Sequence, residues 1–390
     1  MNYLQQNCET LIRQCEDGLN KRFFLYPNDI TYSLTNRCNS YCIMCKYLSK
    51  SYENHTYDNA NPFNVNLQQF KKFMPRRSLI GLLRRRPHDN FFKYINKLSI
   101  IGGETFLNPH TYDIVKYAKT SFPKLALTIL SNGSVPPPKN DDIVKYIDML
   151  GFSIDGCTKE TFEKIRTPLK FDHVMRSIDR WVEAREKYNA KISLSFAVAL
   201  STWNFAELPG LVQLAHDKKL DFIYVQPMYI HDDARFDAIR STSLVDMDKD
   251  LGHHYLKEAY DVSAATGIRI DTWESIRRMF GYKIDNNEVQ EDDEAREFNP
   301  DLNRYCQRLW CLGMKFDELG QLDGVCTSLK ESLKIAADYN IPKTGTPFEI
   351  YNSRGWWMLR KDMLDGKLIS DCSECHKGNS YYYELSRRKL

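Results

Sequence analysis

The stretch Thr35–Tyr47, TNRCNSYCIMCKY, carries Cys38, Cys42 and Cys45 on one short loop, with three and then two residues between them. The alternating run just before it, DITYSL at Asp29–Leu34, predicts a strand, so the loop lies at a strand's carboxyl end. Thiolates are soft ligands that suit iron–sulfur clusters. Three of them would hold three corners of a [4Fe–4S] cube and leave the fourth iron open to a substrate or cofactor. A zinc site short of one ligand, or three unrelated thiols, would show the same spacing.

Working outward, KLSII at Lys97–Ile101 reads as a second strand and runs into Gly102, Gly103 and Glu104. Glycines let backbone approach a ligand closely, and a carboxylate there can accept hydrogen bonds from an α-amino group. Strand-like segments recur at 126–133 (ALTILSNG), 149–156 (MLGFSIDG), 191–200 (KISLSFAVAL) and 222–230 (FIYVQPMYI), with helical patterns between them. This alternation implies parallel βαβ units, whose active sites sit at the carboxyl ends of the strands.

A three-cysteine loop after the first strand and a Gly-Gly-Glu turn after the second resemble the radical S-adenosylmethionine (SAM) superfamily. The resemblance implies an α/β fold, a partial (β/α)6 TIM-like barrel, with a SAM-binding [4Fe–4S] cluster on Cys38, Cys42 and Cys45. It further implies that Met44, Gly102, Gly103, Glu104, Ser131, Asn132, Ser153, Asp155, Arg166 and Gln226 line the SAM pocket. In that reading Glu104 meets the amino group of SAM, Arg166 its carboxylate and Met44 its adenine. Read without the resemblance, each strand-end polar residue is equally a cap or turn residue. Two positions depart from the family's pattern: Thr105 stands where proline is usual, and Met44 where an aromatic is commonest.

Five of the eleven cysteines lie beyond an acidic, loop-like stretch at 285–301. Cys311 and Cys326 flank a predicted β-hairpin at 314–325, and Cys372 and Cys375 form a CxxC after a helical stretch at 346–364. The layout resembles the twitch domain, the shortened SPASM domain, and so implies an auxiliary [4Fe–4S] cluster on these four cysteines; a zinc ribbon would use the same pairs. Cys306 reads as an alternative ligand, an inert thiol or a hydrogen-atom donor over the active site. Cys8, Cys15 and Cys157 have no partner at ligand spacing and read as packing or surface thiols. The expected organisation is an N-terminal helical extension at 1–28, the barrel at 29–284, an acidic linker at 285–303 and a small α+β iron–sulfur domain at 304–390.

The 390 residues include 54 basic and 51 acidic side chains, net +3, a balance that disfavours a surface built wholly for nucleic acid or anionic lipid. No apolar run reaches the roughly 18 to 20 residues of a membrane span. The first residues lack the apolar core and cleavage site of a secretory signal, so the expected location is cytoplasmic. Grouped thiols in a reducing compartment point to metal or redox chemistry.

Substrate is less legible. Arg76, Arg77, Arg84, Arg85 and Arg86 in the long connection before the second strand describe either a solvated amphipathic helix or an anion site. Only 37 residues precede Cys38, too few for a peptide leader-binding module plus the first strand. The expectation is therefore a radical SAM enzyme that oxidises or epimerises a small molecule of sugar, glycan or aminocyclitol type, served by a flavodoxin- or ferredoxin-type electron donor. The alternatives are a maturase of a ribosomally made peptide and, in another class, a metal-cluster protein that binds nucleic acid without SAM chemistry.

Overall fold

A computed structural model describes residues 27–45, 63–75, 92, 95–230, 234–272, 274–283, 314–323, 332–365 and 367. Residues 1–26 of the expected extension at 1–28, the arginine cluster, the acidic stretch and Cys8, Cys15, Cys306, Cys311, Cys326, Cys372 and Cys375 lie outside the described residues.

Eight parallel strands form one sheet: β1 (Asp29–Ser33), β2 (Lys97–Ile101), β3 (Ala126–Ser131), β4 (Met149–Ser153), β5 (Ser193–Leu200), β6 (Phe222–Pro227), β7 (Arg269–Thr272) and β8 (Met314–Phe316). Their order is β7-β6-β5-β4-β3-β2-β1-β8. Strands β1 to β6 run consecutively, each reached by a crossover, as parallel pairing demands. The helices that carry or flank these crossovers are α1 (Leu67–Phe73), α2 (Thr111–Ser121), α3 (Lys159–Ile165), α4 (Phe171–Lys187), α5 (Leu208–Asp217), α6 (Lys249–Thr266) and α7 (Glu274–Met279). Among them none is long and apolar enough to cross a membrane.

The sheet's helix-covered face is aliphatic and aromatic. Leu98, Ile100, Leu127, Ile129, Leu150, Phe152, Leu194, Phe196, Ile223 and Val225 are buried there and pack with Val174, Ile178 and Trp181 of α4 and Leu211 and Val212 of α5. Each such side chain contributes about 1.5–3 kcal/mol on leaving water, and Trp181 also satisfies its indole N–H on the Val135 carbonyl at 3.0 Å. By alternation the other face carries Thr31, Ser99, Thr128 and Ser195 together with Lys97, Leu130, Met149, Tyr224 and Lys315.

Two strands extend the expected six. Strand β7, in GIRIDT, is four residues long and easily missed as a strand signal. Strand β8 comes from the expected hairpin. The turn is present, with Phe316 bridged antiparallel to Leu322 and the Asp317 carboxylate accepting the N–H groups of Leu319 and Gln321 at 3.0 and 2.8 Å. Its first arm, however, pairs in parallel with β1, Thr31 against Lys315. The sheet therefore takes a strand from the region assigned to the C-terminal unit. The helical stretch at 346–364 forms two helices, α9 (Pro347–Tyr351) and α10 (Arg354–Leu364), after α8 (Ser332–Asp338).

Candidate active site

The cysteine loop sits at the carboxyl end of β1, hung between two neighbours. On one side Gly103 N–H donates to Thr35 O at 3.0 Å and Glu104 N–H to Arg37 O at 2.7 Å. A side chain at Gly103 would place its Cβ 2.0 Å from Arg37 O, and Gly102 has a φ of 134°. The two glycines thus bring their backbone against the residues leading into Cys38, where the sequence reading had them approaching a ligand. On the other side Tyr41 N–H donates to Thr167 O at 2.6 Å and Ile43 N–H to Ile165 O at 3.1 Å, tying the loop to the end of α3.

The thiols share neighbours. Ser40 Oγ lies 3.3 Å from Cys38 Sγ and 3.5 Å from Cys42 Sγ. Burial pushes the Cys38 thiol up to about 11 against the opposing bonds to Ser40. Arg166 Nη1 lies 3.6 Å from Cys42 Sγ, and its Nε donates to Asp155 Oδ2 at 2.6 Å. Burial works against the Arg166 charge, yet the facing Asp155 outweighs it, so the guanidinium stays cationic beside the thiols. Among the described residues no three His, Cys, Asp or Glu side chains close around a single ion. A cubane binds each thiolate through a different iron, so its ligands need no common point. Three soft donors on one loop, with a held cation against them, fit that group.

The pocket residues expected at the strand ends divide into two sets. Glu104, Asp155, Ser131 and Asn132 are buried and engaged with protein. Glu104 has no exposed surface: Oε1 accepts from Phe106 N–H at 3.1 Å and Ser131 Oγ at 2.9 Å, and Oε2 from Asn132 N–H at 2.7 Å. Burial raises its pKa against these bonds. Through these bonds the carboxylate joins the ends of β2 and β3. Asp155 likewise bonds across strand ends, since Oδ1 accepts from Ala199 N–H at 2.7 Å and Oδ2 holds Arg166. Arg166 in turn gives Nε to Asp155 and places Nη1 against Cys42.

Ser153 and Gln226, half-buried at the ends of β4 and β6, have no hydrogen-bond partner among the described residues. Met44 packs with Ile43 against the buried Ile165, Met228, Phe236 and Ile239. This apolar bed beside the thiols suits a flat ring.

Sequence reasoning missed Asn39, Ser134 and Asn204. Asn39 Nδ2 donates to Ser134 Oγ and its Oδ1 accepts from Asn132 Nδ2, both at 2.8 Å, while Asn132 Nδ2 also lies 4.0 Å from Cys38 Sγ. Its place between two cysteines was the available signal. Asn204 donates to the carbonyls of Asp155 at 2.9 Å and Ala199 at 3.0 Å, a role only the fold reveals. Beside Asn39 and Ser134 lies a cavity of about 810 Å³ that also meets Lys159, Pro168, His173 and Arg176. Cys157 stands apart from these thiols, half-buried, its thiol pushed up to about 12 by burial and the Glu207 carboxylate.

Fold and site define a class: an α/β protein with a parallel sheet whose first strand delivers three thiols to its carboxyl edge. Residues 32–215 match the model of the radical SAM superfamily, so the chain carries a radical SAM domain. Two Rhizobium etli proteins described as GTP 3',8-cyclase are similar to it. One is 30% identical over 210 residues, 51% of this chain and 52% of that protein; the other is 25% identical over 324 residues, 79% and 80%. The first of these alignments thus spans about half the relative's length. Among solved structures, Streptococcus suis SuiB bound to S-adenosylmethionine superposes with a TM-score of 0.58 at 13% identity, covering 91% of this chain and 72% of that one. At such identity the likeness speaks for the fold.

Proposed function

We propose that the chain reductively cleaves SAM and uses the product to abstract a hydrogen atom from a small molecule. The observation that supports this reading is the pairing of the three-thiol loop with the Asp155–Arg166 clamp, which holds a positive charge against Cys42. When bound, a [4Fe–4S] cluster on Cys38, Cys42 and Cys45 together with SAM supplies a 5'-deoxyadenosyl radical. This chain's residues orient and enclose it. Met44 and its apolar bed receive the adenine, Ser153 and Gln226 present free polar groups at the strand ends, and Glu104 keeps the loop in place. Arg166 stabilises negative charge on the thiolates, the more so because its site excludes water.

Relatives that are described as acting on a nucleotide support a small-molecule substrate over a peptide, and oxidation or epimerisation of a sugar-, glycan- or aminocyclitol-like compound remains this reading's finer form. Cys311, Cys326, Cys372 and Cys375 would hold an auxiliary [4Fe–4S] cluster able to take an electron from the substrate, and Cys306 would return a hydrogen atom if the outcome is epimerisation. A flavodoxin- or ferredoxin-type protein would supply the low-potential electron.

The test is anaerobic reconstitution with iron and sulfide counting and an assay for 5'-deoxyadenosine. About eight irons per chain are expected, two cubes of four. Alanine at Cys38, Cys42 or Cys45 should abolish SAM cleavage, and alanine at Cys372 or Cys375 should lower iron by about four and spare some cleavage. A reconstituted chain that never binds SAM would sink the reading.

A further inference from the structure

Ser40 stands between two of the three thiols. It is buried, and its hydroxyl oxygen lies 3.3 Å from Cys38 Sγ and 3.5 Å from Cys42 Sγ. Among the described residues the hydroxyl has no other hydrogen-bond partner. While the sulfurs are thiols, either side of each contact can supply the proton. A thiol that ligates a metal is deprotonated, so in the loaded chain both sulfurs only accept. The buried O–H then donates to sulfur, since these are its available acceptors, and it brings one proton to two thiolates.

A second donor reaches Cys38 from the end of β3. Asn132 Oδ1 accepts from the Ser134 N–H at 2.9 Å and from the Ser134 hydroxyl at 2.6 Å. Turning this amide over would set its NH2 against the Ser134 N–H, so its orientation is fixed. Asn132 Nδ2 donates to Asn39 Oδ1 at 2.8 Å and to Cys38 Sγ at 4.0 Å. Asn39 Nδ2 donates to Ser134 Oγ at 2.8 Å, which closes a ring of three side chains around the amide.

Hydrogen bonds to its sulfurs are among the factors that set the potential of an iron–sulfur cluster. The reduced cluster carries one more negative charge than the oxidised one. A donor aimed at a ligating sulfur stabilises that charge and so favours the reduced form.

Resting on the radical reading above, we propose that Ser40 and Asn132 are positioning residues for electron entry: their O–H and N–H groups bond the cysteine sulfurs and raise the reduction potential of the cluster, while Asn39 and Ser134 hold the amide in place. The electron itself comes from the low-potential donor already named.

The experiment is an anaerobic dithionite titration of the full reconstituted chain at controlled potential. It is read by electron paramagnetic resonance on the signal that Cys45→Ala removes, with iron counted in every variant. Ser40→Ala should lower the ratio of reduced to oxidised cluster at a fixed potential about 3- to 10-fold, a fall of about 30 to 60 mV for one electron, with iron content unchanged. Ser40→Thr keeps a hydroxyl and should return most of that shift. Asn132→Ala should move the ratio in the same direction about 2- to 3-fold, less because its contact is longer.

Iron-loaded Ser40→Ala with the parent's potential, or a higher one, would overturn the proposal. So would a Ser40→Thr chain that titrates as low as Ser40→Ala. If Ser40→Ala takes up no iron, Asn132→Ala decides: a lowered potential supports the proposal and an unchanged one overturns it. The two readings fail separately. A parent chain that forms this cluster without cleaving SAM loses the radical reading, while the shifts among its variants still decide the role of Ser40 and Asn132. A parent chain that cleaves SAM, with variants that do not shift, loses only the latter, and one whose three thiols take up no iron loses both.

Discussion

Glu104 engages both carboxylate oxygens with the protein itself. A carboxylate after two glycines is chemically suited to an ammonium ligand. In the fold three protein donors consume it, and it has no exposed surface. Glu104→Gln tests the clamp. An amide can keep one oxygen's bonds only by setting its own NH2 against the N–H of Asn132 or of Phe106, two donors facing each other. Unfolding by denaturant should show a loss of about 1–3 kcal/mol, the cost of a buried donor left unmatched. A variant as stable as the parent would mean that the carboxylate is not bonded in this way. Met44 instead lies in apolar surroundings, packed with Ile43 on Ile165, Met228, Phe236 and Ile239.

At the scale of elements, the loop's position depends on what lies on either side of it. The β2 turn approaches so closely that only glycine fits at 103, because the nearest atom to an added Cβ is backbone and cannot rotate away. Gly103→Ala should therefore displace the segment Thr35–Arg37. Reconstituted protein should retain far-ultraviolet circular dichroism while its iron content at the first cluster falls severalfold; full iron loading would show that the approach is looser than described. The opposite support is the end of α3, whose Thr158 cap and the carboxylate of Glu207 organise its first turn. This helix carries Arg166 at its other end, so one short element both braces the loop and delivers the cation to it.

For the molecule as a whole, the strand Met314–Phe316 covers the β1 edge, the same strand that leads into the cysteine loop. Phe316 has no exposed surface and meets Phe73 edge-on at a centroid distance of 5.0 Å, while Tyr32 stacks on Phe73 at 4.1 Å. A chain ending at residue 284 would open that edge and expose these rings, losing about 1.5–3 kcal/mol for each buried side chain of β8. It should unfold at lower denaturant than the full chain and associate in size-exclusion chromatography. A truncated chain as stable and monodisperse as the parent would mean that β8 contributes nothing to the barrel. The expected boundary after 284 followed the acidic stretch, and charge composition records solvation, not which strand pairs with which.

The cysteine spacing, the Gly-Gly-Glu turn and the regular return of strands carried the resemblance to the radical SAM superfamily and determined the parallel sheet and its first six strands, because local periodicity and ligand spacing are carried by consecutive residues. Only the tertiary structure decided that Glu104 and Asp155 are buried and bonded to protein, that Asn39, Ser134 and Asn204 join the site, and that β8 returns to β1. Those outcomes depend on side chains distant in sequence meeting across strands, where burial and hydrogen-bond demand choose the partner.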